Sequence, residues 1–202
     1  KWAFVSIDEY FSFFKIAYDL KNDKFTNIKL LGSNIIDFDL PFFARSIFHL
    51  KSIFYDGIAT QLYVDRRGGP EEKQLGFNLA SKIKAYAALA SASRNTSNEL
   101  YITEVNWPLQ GMGEWSPSKE YLIEESFQSR YMVRYYLLML ASGKVKKCYW
   151  HQLVAPGYGL VNNLDGEIKK RDAYFCFKHL ISIFSDSKTK KFIQEKNLYC
   201  LI

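Results

Sequence analysis

The sequence is poor in cysteine, and its few cysteines are far apart. Its 202 residues contain three, Cys148, Cys176 and Cys200, and no two of them form a CxxC pair. An odd number of widely spaced cysteines argues against both a disulfide framework and a structural zinc site. We expect buried free thiols, which favour a reducing compartment such as the cytoplasm.

Long apolar stretches and nucleotide-binding loops are also missing. No apolar run reaches the roughly 20 residues that a membrane-spanning helix needs, so we expect no membrane span. No GxGxxG or GxxxxGK(S/T) motif follows any predicted strand, which removes the usual support for a nucleotide cofactor. The histidines form no HxxxH pair that would bind a metal ion. We therefore expect no metal ion and no organic cofactor.

Dense runs of one charge are absent, although the net charge is +6. The basic surplus is scattered in small groups, such as Lys146–Lys147, Lys169–Arg171 and the lysines after position 187. A nucleic-acid site would need a denser basic patch on one face. These lysines are typical of a solvated surface, and we expect no nucleic-acid partner.

What the sequence does contain is enough apolar and aromatic material for a folded domain. Hydrophobic residues make up 48% of the chain and aromatic residues 17%. That composition is typical of a globular protein with a core of its own. Abundant Tyr and Trp suit a ligand that stacks, such as a carbohydrate, and suit an ordinary core equally well.

The apolar periodicity predicts one helix followed by four strand–helix units. Ser6 and Glu9 have the spacing of a capping box, Pro41 fits the first turn of the second helix, and Gly143 fits a helix end. The predicted helices are 6–22, 42–53, 71–92, 120–142 and 169–184. The predicted strands are 28–32, 58–64, 99–105 and 145–153. The segment 188–202 has no clear pattern.

Alternating strands and helices of this length predict a parallel sheet with crossover helices. Two architectures fit: an open doubly wound sheet, and part of a (β/α)8 barrel, which in full needs about 250 residues. Unusual polar and aromatic residues fall where the strands end. They are Tyr63 and Asp65, then Glu104, Asn106 and Trp107, then Trp150, His151 and Gln152. In a barrel those strand ends carry the active site.

Three segments in order then resemble one known family. TEVNWP (103–108), YWHQL (149–153) and GYGLVNNLDGEIKKRDAYFCFKHL (157–180) resemble the second half of the retaining glycoside hydrolases of clan A, with the xylosidase/iduronidase-like branch most similar. The resemblance implies an α/β fold, the C-terminal half of a (β/α)8 TIM barrel, with the four visible strands as strands 5–8. It implies residues 1–187 as this half-barrel and 188–202 as a basic C-terminal tail.

The resemblance assigns the nucleophile to Glu104. Retaining glycosidases use two carboxylates about 5–5.5 Å apart, one to attack the anomeric carbon and one to protonate the leaving oxygen. By resemblance Tyr63 would donate a hydrogen bond to Glu104, and Trp150 would form the floor of a sugar subsite. Each residue also has a structural alternative: Glu104 would be a solvated residue at a strand end, Tyr63 a core tyrosine, and Trp150 a tryptophan that closes the top of the barrel.

Three further residues are weaker candidates for substrate binding. Trp107 would wall a subsite or pack its loop, Asn106 would bond a sugar hydroxyl or form a turn, and Gln152 would contact a sugar. Strand alternation sends either Gln152 or His151 towards the barrel axis, and we favour Gln152. Asp65–Arg67 would bind an acidic sugar or form a solvated loop.

The resemblance also implies a partner for this chain. The acid/base Glu of the family ends strand 4, which would precede Lys1, so we expect an N-terminally truncated fragment whose missing half of the barrel belongs to the parent chain.

The expected function is hydrolysis or transfer of O-glycosidic bonds with retention, on an oligosaccharide or glycoside substrate. The alternative is a catalytically inactive carbohydrate-binding barrel or truncated pseudoenzyme.

Overall fold

The computed structural model describes residues 6–64, 68–116, 121–188, 190–195 and 198–202. Five α-helices are present in this part of the chain: α1 Ile7–Lys24, α2 Leu40–Phe48, α3 Leu79–Ala92, α4 Glu125–Ser142 and α5 Asp172–Phe184. The main strands are β1 Leu31–Ile36, β2 Gly57–Gln61, β3 Leu100–Val105 and β4 Val145–Trp150. Short strands are β5 Val161–Asn162, β6 Lys169–Lys170, β7 Phe192–Glu195 and β8 Leu198–Leu201.

The four main strands form one parallel sheet in the order β1-β2-β3-β4. Each strand is joined to the next by a helix, so the predicted α/β class and repeated β-α order are confirmed. All the strands run the same way, and the carboxyl ends therefore lie along one edge of the sheet. Strands β1 and β4 are the outer strands of the sheet as described.

The helices cover the sheet through an aromatic-rich core. Phe14 of α1 meets Tyr55 edge-on with ring centroids 4.6 Å apart, and Phe43 of α2 meets Tyr86 of α3 at 5.2 Å. Tyr135 of α4 is fully buried and donates a hydrogen bond to the Leu62 carbonyl oxygen at 2.7 Å. Buried aromatic rings of this size supply much of the hydrophobic stabilisation.

Local sequence signals explain where α1 begins and where α4 ends. Ser6 accepts from the Glu9 backbone N–H and Glu9 accepts from the Ser6 backbone N–H, so the predicted capping box is confirmed. Gly143 ends α4 in the left-handed conformation with φ of 60°. A residue with a β-carbon would be strained at that φ, so glycine suits the position.

Several predicted boundaries were wrong for identifiable reasons. Helix α3 begins at Leu79 rather than at 71, because Gly76 has a φ of 87° and the Asn78 side chain caps the Ser81 N–H at 3.0 Å. Strand β1 lies at 31–36 rather than 28–32, because a bulge after Gly32 lets the strand continue beyond that glycine.

Three predicted elements are shorter at one end: α2 ends at Phe48 rather than at 53, β2 ends at Gln61 rather than at 64, and α4 begins at Glu125 rather than at 120. Two further differences lie near the C-terminus. Helix α5 begins at Asp172 rather than at 169, since Lys169–Lys170 pair with Val161–Asn162 as an antiparallel ribbon. In the segment 188–202, which had no predicted structure, β7 and β8 pair in antiparallel fashion and Phe192 packs against the core. No helix in the described part of the chain is both long enough and apolar enough to cross a membrane.

Candidate functional site

The carboxyl ends of β2, β3 and β4 lie side by side. Gln61 of β2 pairs with Glu104 of β3, and Val105 of β3 pairs with Trp150 of β4. The described candidates at these strand ends, among them Glu104 and Trp150, therefore lie along one edge of the sheet, as parallel pairing requires.

Glu104 is kept out of the core by an irregularity in β3. Ile102 and Val105 are both fully buried in the core, although residues three apart in a regular strand face opposite sides. The register shifts towards both neighbouring strands in this stretch, which is the signature of a bulge. The Glu104 side chain, between them, remains 23% exposed.

The structure places the side chain of His151 beside Glu104. Its Nδ1 lies 3.8 Å from Glu104 Oε2, and its ring stacks on Tyr158 with centroids 5.5 Å apart and planes at 18°. Sequence reasoning favoured Gln152 over His151 for the inward position. Strand β4 ends at Trp150, so strand alternation does not apply at these two residues.

The two candidate tryptophans pack on each other. Trp107 is fully buried, donates its Nε1–H to the Gly68 carbonyl oxygen at 2.9 Å and lies between Tyr135 and Trp150. The Trp107 and Trp150 rings are 6.0 Å apart at 26°. Trp107 has no exposed face for a sugar here, which favours the loop-packing interpretation. The buried Nε1–H of Trp150 has no hydrogen-bond partner in the part of the chain described.

Asn106 joins the ends of β3 and β4. It is 6% exposed, and its Nδ2 donates to the His151 carbonyl oxygen at 2.6 Å, while the His151 N–H donates to the Val105 carbonyl oxygen at 3.0 Å. One N–H of its side-chain amide is therefore bonded to the protein. This bond links the residue after β3 to the residue after β4, and the predicted contact of Asn106 with a sugar hydroxyl stays a prediction.

Gln152 and Tyr63 differ in exposure. Gln152 is exposed and its backbone oxygen accepts from the Leu160 N–H at 3.2 Å. Tyr63 follows β2, is buried, and its N–H donates to the Gln61 oxygen at 3.2 Å. Their predicted contacts, from Gln152 to a sugar and from Tyr63 to Glu104, stay predictions.

Buried polar side chains tie together the two loops that frame the site. Gln128 of α4 is fully buried, and its Nε2 donates to the Trp107 and Tyr158 carbonyl oxygens, both at 3.2 Å. Arg171 is 4% exposed, pairs with Glu125 and donates to the Pro156 carbonyl oxygen at 2.5 Å. Sequence reasoning missed both residues, because nothing in their local pattern marks a bond to a distant loop.

The remaining expectations from the sequence concern an acidic ligand, a metal ion and the cysteines. Asp65, Arg66 and Arg67, considered for an acidic ligand, lie outside the described residues. Within the described ranges, no group of three or more His, Cys, Asp and Glu side chains is arranged to hold a metal ion. The Cys148 thiol is unpaired, and burial raises its pKa to about 12, which makes it a poor nucleophile.

Comparison with solved structures shows that the fold is similar to that of glycoside hydrolases. A family 39 glycoside hydrolase from the gut symbiont Bacteroides cellulosilyticus WH2 matches with a TM-score of 0.54 at 15% identity, over 73% of this chain and 31% of that one. A family 1 β-glucosidase from Thermotoga maritima matches with a TM-score of 0.57 at 10% identity, over 87% of this chain and 56% of that one.

The similarity is one of fold. No family model and no curated protein matches the sequence. The chain spans 31% of the length of the family 39 enzyme and 56% of that of the family 1 enzyme. At these identities the shared feature is the α/β architecture with a parallel sheet, which matches part of a TIM-barrel glycosidase.

Proposed function

We propose that this chain is the C-terminal half of a retaining clan A glycosidase barrel, and that Glu104 is its nucleophile. The observation that carries the proposal is the position of Glu104. It is a partly exposed carboxylate at the carboxyl end of a central parallel strand, turned out of the core by a bulge. In barrel enzymes that end of the sheet carries the reacting groups, and the similar folds belong to glycosidases.

The proposed reaction has two steps. A Glu104 oxygen attacks the anomeric carbon as the bond to the leaving oxygen breaks, and a second carboxylic acid gives its proton to that oxygen. Water then attacks the glycosyl ester, passes a proton to the second carboxylate and releases Glu104. Transfer to another sugar replaces water with a hydroxyl group. The chemistry requires no metal ion and no organic cofactor.

The second carboxylate comes, in this proposal, from a strand outside these 202 residues, in the N-terminal half of the barrel. This chain alone is then inactive, because carboxylates that act as a unit lose most of their effect when separated. The substrate is a glycoside or oligosaccharide. Gln152 is the exposed candidate for a hydroxyl contact, Trp150 is the candidate for stacking, and Tyr63, Asn106 and Trp107 support the strand ends.

Rescue of a Glu104→Ala variant by azide tests the nucleophile. The full natural gene product that contains this chain is assayed with activated aryl glycosides, with the exposed loop carboxylate variant Glu114→Ala as the matched control. We expect Glu104→Ala to lose activity by at least about 10³-fold. Azide, which fits the space of the missing carboxylate, should restore turnover and yield a glycosyl azide.

Two results would contradict this assignment. One is an active Glu104→Ala enzyme; the other is an equal loss in Glu114→Ala. A folded wild-type protein that cleaves no glycoside but binds glycans would instead support the alternative function, a non-catalytic carbohydrate-binding barrel.

A further inference from the structure

A large aromatic side chain is exposed on the loop that follows β3. Trp115 ends a short 3₁₀-helix, Gly113–Trp115, and is 53% exposed. The other tryptophans in the described part of the chain differ from it, because Trp107 is fully buried and Trp150 is only partly exposed. Single exposed apolar residues are common on protein surfaces. The position of this indole and the support beneath it therefore decide what it can do.

The backbone on both sides of Trp115 is bonded to the rest of its loop. The Trp115 N–H donates to the Met112 carbonyl oxygen at 3.1 Å, and the Ser116 hydroxyl donates to the Leu109 carbonyl oxygen at 2.6 Å. Arg171 is buried, and its Nη2 lies 3.9 Å from Met112 Sδ. A ligand that binds to this indole therefore has little backbone to order, which lowers the entropic cost of binding.

The same loop packs directly on the loop that follows β4. The Leu109 N–H donates to the Gly157 carbonyl oxygen at 2.7 Å. A β-carbon added at Gly157 would lie 1.9 Å from the Trp115 carbonyl oxygen, so a larger residue at 157 would force the two loops apart. This close approach fixes the position of Trp115 relative to the loop after β4.

A short series of contacts leads from this loop to Glu104. Tyr158 directly follows Gly157, and its ring stacks on that of His151 with centroids 5.5 Å apart. His151 Nδ1 in turn lies 3.8 Å from Glu104 Oε2. Both loops follow the carboxyl ends of their strands, β3 and β4. Trp115 therefore lies at the same end of the sheet as Glu104, with two loop residues and one imidazole between them in this series.

We propose that Trp115 is a stacking platform for a sugar unit of the substrate beyond the unit that Glu104 attacks. The proposal rests on the proposed function, in which Glu104 is the nucleophile. A pyranose ring with equatorial hydroxyl groups presents axial C–H bonds on its faces, and these pack on a flat indole. The ligand of the platform is therefore an oligosaccharide of such sugars, and a single sugar bound at Glu104 does not reach Trp115.

The length of the substrate tests the proposal. The full natural gene product that contains this chain is assayed with aryl xylosides and glucosides, and with xylo- and cello-oligosaccharides of increasing length. Trp115→Ala should raise KM for the longer oligosaccharides by about tenfold and change kcat little, because a stacked remote sugar is held equally in the ground state and the transition state. The aryl monosaccharides should be cleaved as by the wild type.

Two further variants separate stacking from a structural role. Trp115→Phe keeps a flat ring and should recover most of the affinity for the longer oligosaccharides. Phe13→Ala removes a ring that is 66% exposed on α1, and it should leave the kinetics with every probe unchanged. An equal loss for short and long substrates in Trp115→Ala, or no loss at any length, would overturn the proposal.

Binding measured without turnover separates this proposal from the proposed function. Calorimetric titration with the same oligosaccharides uses Glu104→Gln, with and without Trp115→Ala, and about tenfold weaker binding without the indole supports the platform. A wild type that binds oligosaccharides through Trp115 but cleaves no glycoside would overturn the proposed function alone. Equal binding with and without the indole, binding of none of the probes, or a change only in self-association would overturn the platform.

Discussion

The two ends of the parallel strands are held together by different interactions. At the carboxyl end, buried side chains bond to the backbone of neighbouring loops: Asn106 to His151, Gln128 to Trp107 and Tyr158. At the amino end, Glu99 lies between Lys29 and Lys146 and accepts from the Tyr101 hydroxyl at 2.7 Å, with its side chain 30% exposed.

The carboxyl end is held by directional hydrogen bonds, whereas the amino end is held by partly exposed ion pairs. Buried hydrogen bonds are directional, and a broken one leaves a polar group without water, so the carboxyl end is held in one geometry. Ion pairs near water contribute little and tolerate movement. The end with the buried hydrogen bonds is also the end where the Glu104 side chain stays 23% exposed, which its proposed role requires.

The largest loss of stability should follow from removing a buried side chain from the core next to the site. Trp107→Ala removes a fully buried indole together with its bond to Gly68, and we expect a loss of about 3–5 kcal/mol in the free energy of unfolding. Tyr149→Ala on β4, where the side chain is 48% exposed, is the matched control and should cost far less. Urea denaturation measures both, and equal losses would remove the distinction between the core and the sheet surface.

The second-largest loss of stability is expected at Arg171. Arg171→Met keeps most of the packing but loses the charged bonds to Glu125 and to the Pro156 carbonyl oxygen. We expect a cost of about 2–3 kcal/mol, whereas Arg130→Met on the exposed face of α4 should cost less than about 0.5 kcal/mol. Thermal unfolding of the two variants compares them; a harmless Arg171→Met would show that the two loops are held without it.

Gln128 should have a smaller effect. Gln128→Leu leaves the Trp107 and Tyr158 carbonyl oxygens unpaired, but it also removes a buried amide oxygen that has no partner among the described residues. The expected net cost is about 1–2 kcal/mol. Gln110→Leu, which removes a single long bond at an exposed position, is the control. Hydrogen exchange should show faster opening of the loop around Tyr158 in Gln128→Leu only; a loop equally protected in both variants would contradict this role.

The smallest effect is expected at the amino end. Hydrogen bonds from Lys29 and then Tyr101 lower the pKa of Glu99 from 4.5 to about 2. A lowered pKa stabilises the fold above pH 4.5, and that contribution is lost as the pH falls towards 2.

Glu99→Gln should therefore cost less than about 1 kcal/mol at pH 7, after allowance for solvent screening, and nothing well below pH 2, where the carboxyl of the wild type is protonated as well. Glu167→Gln, in an ion pair that is 68% exposed on both sides, is the control and should show no measurable change. Unfolding at a series of pH values checks the trend. A cost for Glu99→Gln that grows towards low pH would reverse the sign and reject this account of the amino end.

Much of the fold could be predicted from the sequence because it depends on local signals. The capping box at Ser6 and the apolar periodicity identified the helices and the parallel order. The start of α3 could not be predicted, because an alanine-rich helical pattern conceals the break at Gly76 and the cap at Asn78.

The candidate site was only partly predictable. The location of Glu104 at a strand end followed from the strand pattern, but the bulge that turns it out of the core depends on pairing with two other strands. His151 contacts Glu104, 47 residues away along the chain, and Gln128 bonds to Tyr158, 30 residues away. No local pattern encodes contacts of this kind.

Covalent labelling of Glu104 tests the central claim most directly. The full gene product that contains this chain is incubated with a panel of activated 2-fluoro sugars, digested, and searched for the labelled peptide by mass spectrometry. The account predicts one sugar-bearing peptide, with the label on Glu104 and none in Glu104→Gln. A label on another carboxylate, or a folded protein that turns over a glycoside without any label on Glu104, would contradict it.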